Sequence, residues 1–213
     1  MKTLIYIIRH GQSVGNRDGV FFGHTDGPLT ALGREQARCA GAYLERAGIQ
    51  PDALYASSLC RAYETASLAY GGGKPILCDG LREIYAGVWE GMLYEDIIKK
   101  HNDDYRVWFT DLGNARPTEG ETVAALSRRV VDTVLKIAAE NEGKTVLIGT
   151  HATPVRVLEA YARGLDISEA HTVPWAPNAS LSAYLCEGNT VTPIFYGFDA
   201  YMGDMATTVA KNI

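Results

Sequence analysis

Two short runs of aliphatic residues set narrow limits on how this chain can fold. Residues 4–8 are apolar at every position, and residues 144–149 contain Val146, Leu147 and Ile148 in succession. A strand whose side chains do not alternate between apolar and polar is buried on both faces, as in a parallel sheet covered by helices. The two runs therefore predict an α/β protein.

Strand and helix patterns alternate along the rest of the chain. Thr30 is a predicted N-cap, and the apolar stripe that follows it ends at Gly48. The other predicted segments are strands at 53–56 and 75–78, a loop at 11–28, helices at 59–70, 121–142 and 154–164, and a hairpin or sheet edge at 180–186 and 190–198. We expect a three-layer α/β/α fold with a mainly parallel sheet and an antiparallel edge strand.

The organisation of the chain predicts a single domain spanning residues 1–213. No repeat, low-complexity segment or linker divides these 213 residues, a length that suits one domain. Residues 89–119 are irregular and rich in aromatic side chains, among them Tyr94, Tyr105, Trp108 and Phe109. We expect this stretch to be an insertion that caps the same domain, with these rings in the core, in the cap or along the substrate pocket.

Composition excludes several classes of protein. The formal net charge of −5 argues against a nucleic-acid partner, and 46% hydrophobic with 21% charged residues excludes a disordered chain, collagen or a coiled coil. No run approaches the roughly 20 apolar residues of a membrane-spanning helix, and the run at 4–8 is too short for a secretory signal. We expect a cytoplasmic protein with no membrane partner. Four scattered cysteines predict neither a disulfide framework nor a zinc site.

Charged side chains follow the predicted strands at the points where ligands bind in α/β sheets. They are Arg9 and His10 after the first strand, Arg61 after the second, Glu83 near the third and His151 after the fourth. Because the carboxyl ends of parallel strands meet at one edge, we expect two histidines, two arginines and one carboxylate to converge there.

This set of side chains suits a phosphomonoester. Such a group carries nearly two negative charges at neutral pH, and arginine contacts its oxygens in a bidentate manner. One histidine could help to neutralise the phosphate while the other attacks phosphorus and forms a covalent intermediate. Glu83 could protonate the leaving alkoxide and then activate water, and Gly11 would let the loop backbone approach the phosphate. The residues alone predict phosphoryl transfer.

Five motifs in a fixed order carry a family resemblance. They are Arg9-His10-Gly11-Gln12-Ser13 with Asn16, Asp26-Gly27-Pro28-Leu29-Thr30, Tyr55-Ala56-Ser57-Ser58-Leu59-Cys60-Arg61-Ala62, Leu81-Arg82-Glu83-Ile84 with Trp89-Glu90-Gly91, and Gly120-Glu121 with Thr150-His151. Together they resemble the histidine phosphatase superfamily, in its phosphoglycerate mutase-like branch.

The resemblance implies a histidine acid phosphatase-type phosphomonoesterase that acts on a small phosphorylated metabolite. It implies His10 as the phosphorylated nucleophile, Glu83 as the proton donor, and Arg9, Arg61 and His151 as the phosphate pocket. Asn16 and the backbone of Phe22 and Gly23 are implied to line that pocket. No metal and no organic cofactor are implied, and the implied fold is phosphoglycerate mutase-like.

Three positions depart from the family pattern. Ala152 stands where a glycine usually follows the last histidine, and Phe22 replaces a glutamine that many of these phosphatases carry. His24 replaces a common aromatic residue and could touch the leaving group. These departures concern the substrate contacts rather than the five charged positions.

Three alternatives to a phosphatase follow from the same residues. A cofactor-dependent phosphoglycerate mutase would share the site, although Trp89-Glu90-Gly91-Met92-Leu93 is the phosphatase-like version of its segment. A non-catalytic module that only binds a phosphorylated ligand would lack one of the five charged residues. A metal hydrolase using His10 and His151 would place a cation beside two arginines, which repel it. The sequence leaves the natural substrate, the oligomeric state (a homodimer included) and the role of the tail after Asp199 open.

Overall fold

A six-stranded sheet forms the centre of the structure, a computed structural model that describes residues 1–207. The strands are β1 (Thr3–Arg9), β2 (Ala53–Ala56), β3 (Ile76–Leu77), β4 (Thr145–Thr150), β5 (Leu181–Glu187) and β6 (Thr190–Phe198). Their order across the sheet is β3-β2-β4-β1-β5-β6. The first four strands in this order run parallel, β5 runs antiparallel to β1, and β6 runs antiparallel to β5. The expected mainly parallel sheet is confirmed.

Helices cover both faces of this sheet. They are α1 (Val14–Asp18), α2 (Ala31–Arg46), α3 (Cys60–Ala69), α4 (Tyr94–Lys100), α5 (Asn102–Thr110), α6 (Val123–Glu140) and α7 (Ala152–Ala162). Ile5 and Ile7 pack in one core with α6 and α7, whereas Tyr6 and Ile8 pack in a second core with α2 and α3. Successive side chains of a strand point to opposite faces, so a strand that is apolar throughout is stable only between two helical layers.

Two segments differ from the predicted pattern. The predicted loop at 11–28 contains helix α1, because Ser13 and Asn16 form a reciprocal capping box at its start. The predicted strand at 75–78 is reduced to two residues, Ile76 and Leu77, whose side chains are exposed at the edge of the sheet. The other bounds agree with the prediction or differ from it by one or two residues, and Thr30 caps α2 as expected.

The aromatic stretch at 89–119 folds into α4, α5 and short 3₁₀ turns. Trp108 packs edge-on against Phe21 and Trp89, with ring centroids 5.7 and 6.0 Å apart. Tyr94 packs edge-on against the other side of this group, 5.5 Å from Phe21. Phe109 does not join the cluster, because its side chain points outward on α5 and is 54% exposed. The expectation that Phe109 packs in the core or the cap is wrong.

The chain after Asp199 packs against α2. Residues Ala200–Met205 form a 3₁₀ segment, and the Tyr201 ring stacks on Tyr43 of α2 with centroids 5.1 Å apart. The Gln36 amide donates a hydrogen bond of 2.7 Å to the Met205 carbonyl. Residues 208–213 lie outside the described residues. Within residues 1–207 no helix is both long and apolar enough to span a bilayer.

Candidate active site

The pairing of β1 with β4 brings the two histidines together. Arg9 lies opposite Thr150 in this parallel pair, so His10 and His151 each follow the last paired residue of their strand. The His10 backbone N–H donates a 2.9 Å hydrogen bond to the Thr150 carbonyl. The two imidazole rings are buried, with centroids 5.2 Å apart and planes inclined at 61°.

A single hydrogen bond decides which nitrogen of His10 carries its proton. Nδ1 lies 2.8 Å from the Gly11 carbonyl oxygen, and a carbonyl oxygen only accepts hydrogen bonds. Nδ1 therefore holds the proton, and Nε2 holds the lone pair. Because His10 lines the central cavity of this edge, the site contains a nitrogen nucleophile in its neutral form.

Both imidazoles are neutral at physiological pH. Burial lowers the pKa of His10 well below 6.5, and the positive charges of Arg61 and Arg9 lower it further. The pKa of His151 is also lowered well below 6.5, first by burial and then by Arg61. The cationic character of the site therefore comes from its arginines.

Ser57 contacts the second imidazole. Ser57 Oγ lies 2.8 Å from His151 Nε2 and accepts a 3.3 Å hydrogen bond from the Leu59 N–H. A hydroxyl group has one donor and two acceptor positions, so this contact is compatible with either neutral tautomer of His151. Nδ1 is buried and has no hydrogen-bond partner among residues 1–207.

Arg9 is another donor with unused capacity. Its Nη1 donates a 2.6 Å hydrogen bond to the Ala176 carbonyl, while its buried Nε has no partner in the part of the chain that the structure describes. Burial lowers the pKa of Arg9 to about 10, and the nearby Glu83 carboxylate opposes this shift. The guanidinium is therefore charged at neutral pH.

Arg61 supports a loop as well as lining the cavity. It donates three hydrogen bonds of 2.7 to 3.2 Å to loop carbonyls, those of Phe22, Gly23 and Thr25. The Glu90 carboxylate accepts two backbone N–H bonds of the same loop, each 2.7 Å long. Three of the five N–H bonds of the guanidinium are thus used to hold the loop.

Glu83 is a buried carboxyl group that lines the cavity. The side chain is 7% exposed. Its Oε1 accepts a 2.8 Å hydrogen bond from the Ile84 N–H, and its Oε2 accepts a 3.3 Å bond from the Thr153 N–H at the start of α7. These two bonds hold the carboxyl group at the cavity that His10 also lines.

The cavity is narrow and partly aromatic. Its volume is about 50 Å³, and its lining residues are Arg9, His10, Ser13, Asn16, Val20, Phe21, Phe22, Arg61, Glu83, Tyr94, Trp108, Ala152, Thr153 and Trp175. A typical site for a drug-sized ligand measures roughly 300 Å³ or more, so this cavity accommodates a small group. A larger open groove between α2 and α3, about 670 Å³, contains none of these side chains.

Three sequence expectations differ from this geometry. Gly23 is not part of the cavity lining, because its carbonyl is turned to Arg61. His24 does not reach the cavity either: its Nε2 donates to the Glu83 carbonyl at 3.0 Å. Gly11 is required by helix α2 rather than by a ligand, since a Cβ atom there would lie 2.3 Å from the Gly33 carbonyl oxygen.

Other lining residues were not foreseen from the sequence. Ser13 is the last residue of the first motif, and Thr153 lies two residues after His151, so both positions offered a signal. Trp175 offered none: it lies in a loop without periodicity, and only the fold stacks it on Trp108, with centroids 6.2 Å apart. Asn16, which the sequence predicts at the pocket, lines the cavity. Its Oδ1 accepts hydrogen bonds from the Ser13 N–H and from the Asn178 amide.

The site can bind and stabilise a doubly charged oxyanion. Two buried guanidinium groups and a neutral imidazole nucleophile surround a space that a carboxyl group also borders. The His151 ring lies beside His10 but is not part of the cavity lining. Within residues 1–207, no group of three or more His, Cys, Asp or Glu side chains is arranged to hold a metal ion.

This fold and this pair of histidines define a class of proteins. The chain belongs to the histidine phosphatase superfamily (branch 1), whose family model matches residues 5–197.

Individual relatives show the range of that class. An adenosylcobalamin/alpha-ribazole phosphatase of Escherichia coli (strain K12) is 31% identical over 163 residues, which are 76% of this chain and 79% of that protein. Phosphoserine phosphatase 1 of Hydrogenobacter thermophilus is 29% identical over 211 residues, covering 98% of this chain and 99% of that protein. The structure of Bacillus stearothermophilus YhfR matches with a TM-score of 0.87 and 30% identity, covering 93% of this chain and 98% of the other. The relatives also include a 2,3-bisphosphoglycerate-dependent phosphoglycerate mutase.

Proposed function

We propose that the protein hydrolyses the phosphomonoester of a small metabolite through a phosphohistidine at His10, as a histidine acid phosphatase-type enzyme. The observation that carries this proposal is the hydrogen bond from His10 Nδ1 to the Gly11 carbonyl, which leaves Nε2 with a lone pair in a cavity bordered by Arg9 and Arg61. The phosphatases among the relatives support the same reaction.

In the first step the Nε2 lone pair of His10 attacks phosphorus. The N–P bond forms, the bond between phosphorus and the ester oxygen breaks, and the electron pair leaves with that oxygen. The Glu83 carboxyl group transfers its proton to the departing oxygen, which leaves as a neutral alcohol. The charge that builds up on the phosphoryl oxygens is stabilised by the two guanidinium groups.

In the second step water replaces the alcohol. The Glu83 carboxylate accepts a proton from water as the water oxygen attacks phosphorus, the N–P bond breaks, and its electron pair returns to Nε2. Inorganic phosphate, neutral His10 and protonated Glu83 are the products. Microscopic reversibility makes one carboxyl group the acid of the first step and the base of the second.

An unpaired donor supports the placement of the phosphoryl group. Arg9 lines the cavity, and its buried Nε has no partner among the described residues, so a phosphoryl oxygen would supply the acceptor that it lacks. We place His151, whose ring centroid lies 5.2 Å from that of His10, in the same phosphate pocket. Tyr94 and Trp108, part of the proposed cap, form an aromatic wall of the cavity.

Replacement of the nucleophile tests the proposal. We expect His10→Gln to reduce phosphate release to background, because no other lining side chain among residues 1–207 offers a neutral nitrogen nucleophile. Wild-type protein quenched with alkali during turnover of a ³²P-labelled ester should contain an acid-labile label that the variant lacks. The exposed His171, changed to Gln, is the matched control and should turn over normally. Activity of His10→Gln close to wild type would exclude this mechanism.

A phosphoglycerate mutase is the alternative, and a relative of that name supports it. A mutase must keep water away from the phosphohistidine and return the phosphoryl group to glycerate. Incubation with 3-phosphoglycerate separates the two reactions: free phosphate as the main product supports a phosphatase, whereas 2-phosphoglycerate without phosphate release supports a mutase.

A further inference from the structure

The backbone that carries Glu83 is held by side chains rather than by a strand or an α-helix. Four successive carbonyls of this segment each accept a side-chain hydrogen bond: Gly80 and Arg82 from Arg129, Leu81 from Thr150, and Glu83 from Arg129 and His24. Such a segment lacks the regular backbone hydrogen bonds that hold a strand or an α-helix in place. Its position therefore depends on the donors that reach it from other elements.

Arg129 of α6 supplies most of those donors. Its Nη1 donates to the carbonyls of Gly80 at 3.1 Å and Arg82 at 2.8 Å, and its Nη2 donates to the Glu83 carbonyl at 2.8 Å. Nε and Nη2 also donate to the Glu121 carboxylate at 2.7 and 2.8 Å. All five N–H bonds of the guanidinium are therefore engaged, and none remains for a ligand.

Glu121 fixes the plane in which this guanidinium lies. Its two oxygens receive a bidentate pair from Arg129, a geometry that is rigid because both partners are planar. Its backbone N–H also donates to the Tyr85 carbonyl at 2.8 Å, two residues beyond Glu83. Helix α6 approaches this segment closely, since a Cβ atom at Gly80 would lie 2.0 Å from Thr133 Oγ1.

We infer that the Arg129–Glu121 pair positions the Glu83 carboxyl group for proton transfer. This inference rests on the proposed function. The pair does not line the cavity, so it acts through the backbone of residues 80–83 rather than on the substrate. Thr150, His24 and the buried side chains of Leu81 and Ile84 also hold this segment, but Arg129 supplies three of its five side-chain hydrogen bonds. A displacement of about 1 Å in a reacting group can cost roughly 100-fold in rate.

Two variants weaken the pair while leaving most of the structure intact. Arg129→Lys keeps the positive charge but offers three donors on a single nitrogen, which cannot reproduce the planar fork. Glu121→Gln keeps the size of the side chain and removes its charge. Arg128→Lys, at the exposed neighbouring position on α6, is the matched control, and thermal unfolding shows whether each variant is folded.

The expected signature is a loss that depends on the leaving group. For Arg129→Lys we expect kcat/KM on an alkyl phosphate such as β-glycerophosphate, which reports the steps up to departure of the alcohol, to fall about 10- to 100-fold. On p-nitrophenyl phosphate, whose leaving group needs no proton, kcat/KM should fall less than about threefold. Glu121→Gln should show the same pattern, and Arg128→Lys should match wild type on both substrates.

A double variant tests whether the pair acts through Glu83. In a Glu83→Gln background the addition of Arg129→Lys should cost nothing further on the alkyl phosphate, because residues that act as a unit are not additive. Equal losses on both substrates, or a full additional loss in the double variant, would overturn the inference. Wild-type protein that hydrolyses neither substrate would instead contradict the proposed function.

Discussion

Among residues 1–207, the Glu83 carboxyl group is the one acidic side chain that lines the cavity beside His10. We expect Glu83→Gln to lower kcat/KM on alkyl phosphates, which reports the steps up to departure of the alcohol, by about 10²- to 10⁴-fold, the usual contribution of a general acid. p-Nitrophenolate leaves without a proton, so the loss on p-nitrophenyl phosphate should be far smaller. Steady-state kinetics on the two substrates measure this difference.

Glu95→Gln is the control for this substitution. Glu95 lies on α4 with its side chain 68% exposed, and the change should leave both rates unaltered. Losses of the same size on alkyl and nitrophenyl esters would remove Glu83 from the role of proton donor while leaving His10 as the nucleophile.

Individual residues also show where inference from sequence reached its limit. His10, His151, Arg9 and Arg61 could be placed at one edge of the sheet because each follows a recognisable strand or motif. The support of Glu83 by Arg129 could not, because 46 residues separate the two in the chain and no spacing rule connects a helix face to a distant loop carbonyl.

Gly33 of helix α2 packs closely against Gly11 and Gln12 in the loop after β1. A Cβ atom at Gly33 would lie 2.1 Å from the Gln12 carbonyl oxygen. Alanine is favoured over glycine inside a helix by about 1 kcal/mol, so helix propensity alone predicts that Gly33→Ala stabilises the protein. We expect the opposite, a decrease in the free energy of unfolding of about 1–3 kcal/mol. The added methyl group would clash with the Gln12 carbonyl, and neither the helix backbone nor the loop backbone can shift without losing other contacts.

Urea denaturation measures the sign of this change. Glu35→Ala, at an exposed position of the same helix, is the control and should shift stability only slightly. The activity of Gly33→Ala should also fall, since the displaced loop includes Gly11, whose carbonyl accepts the His10 proton. An increase in stability for Gly33→Ala would show that the loop can move away.

Among the secondary-structure elements, those with a clear apolar signal were predictable, including the four-residue strand β2. The stripe of α6 and the aliphatic run of β4 carry periodic or continuous apolar signals over many residues. Helix α1 was missed, because it has only five residues and depends on a capping box inside a loop-like composition. Strand β3 is shorter than predicted because it lies at the sheet edge, where one of its sides has no partner strand among residues 1–207.

Burial of two neutral histidines makes the stability of the protein depend on pH. The pKa of His10 and of His151 is lowered well below 6.5, in both cases mainly by burial. Below about pH 6.5 the unfolded chain binds a proton at each position and the folded chain does not, so acid favours unfolding. Each histidine should reduce the free energy of unfolding by up to about 1.4 kcal/mol per pH unit below 6.5, with no contribution above about pH 7.

Urea denaturation between about pH 5 and 7 tests this dependence. His10→Gln removes one buried imidazole, so the slope of stability against pH should become shallower by up to about 1.4 kcal/mol per unit. His171→Gln, at an exposed position, should retain the wild-type slope. An unchanged slope in His10→Gln would mean that His10 takes up its proton in the folded protein as readily as in the unfolded chain.

Local pattern was enough to predict the α/β/α layers and the side chains that would meet at one sheet edge. These features follow from strand and helix periods and from the rule that parallel strands end together. Folding added the hydrogen bond that assigns the lone pair of His10, the loop carbonyls that engage Arg61, the stacked tryptophans of the cavity wall and the guanidinium that holds the Glu83 segment. Each of these is a contact between chain segments whose relative position no local period encodes, so it exists only once the layers have packed.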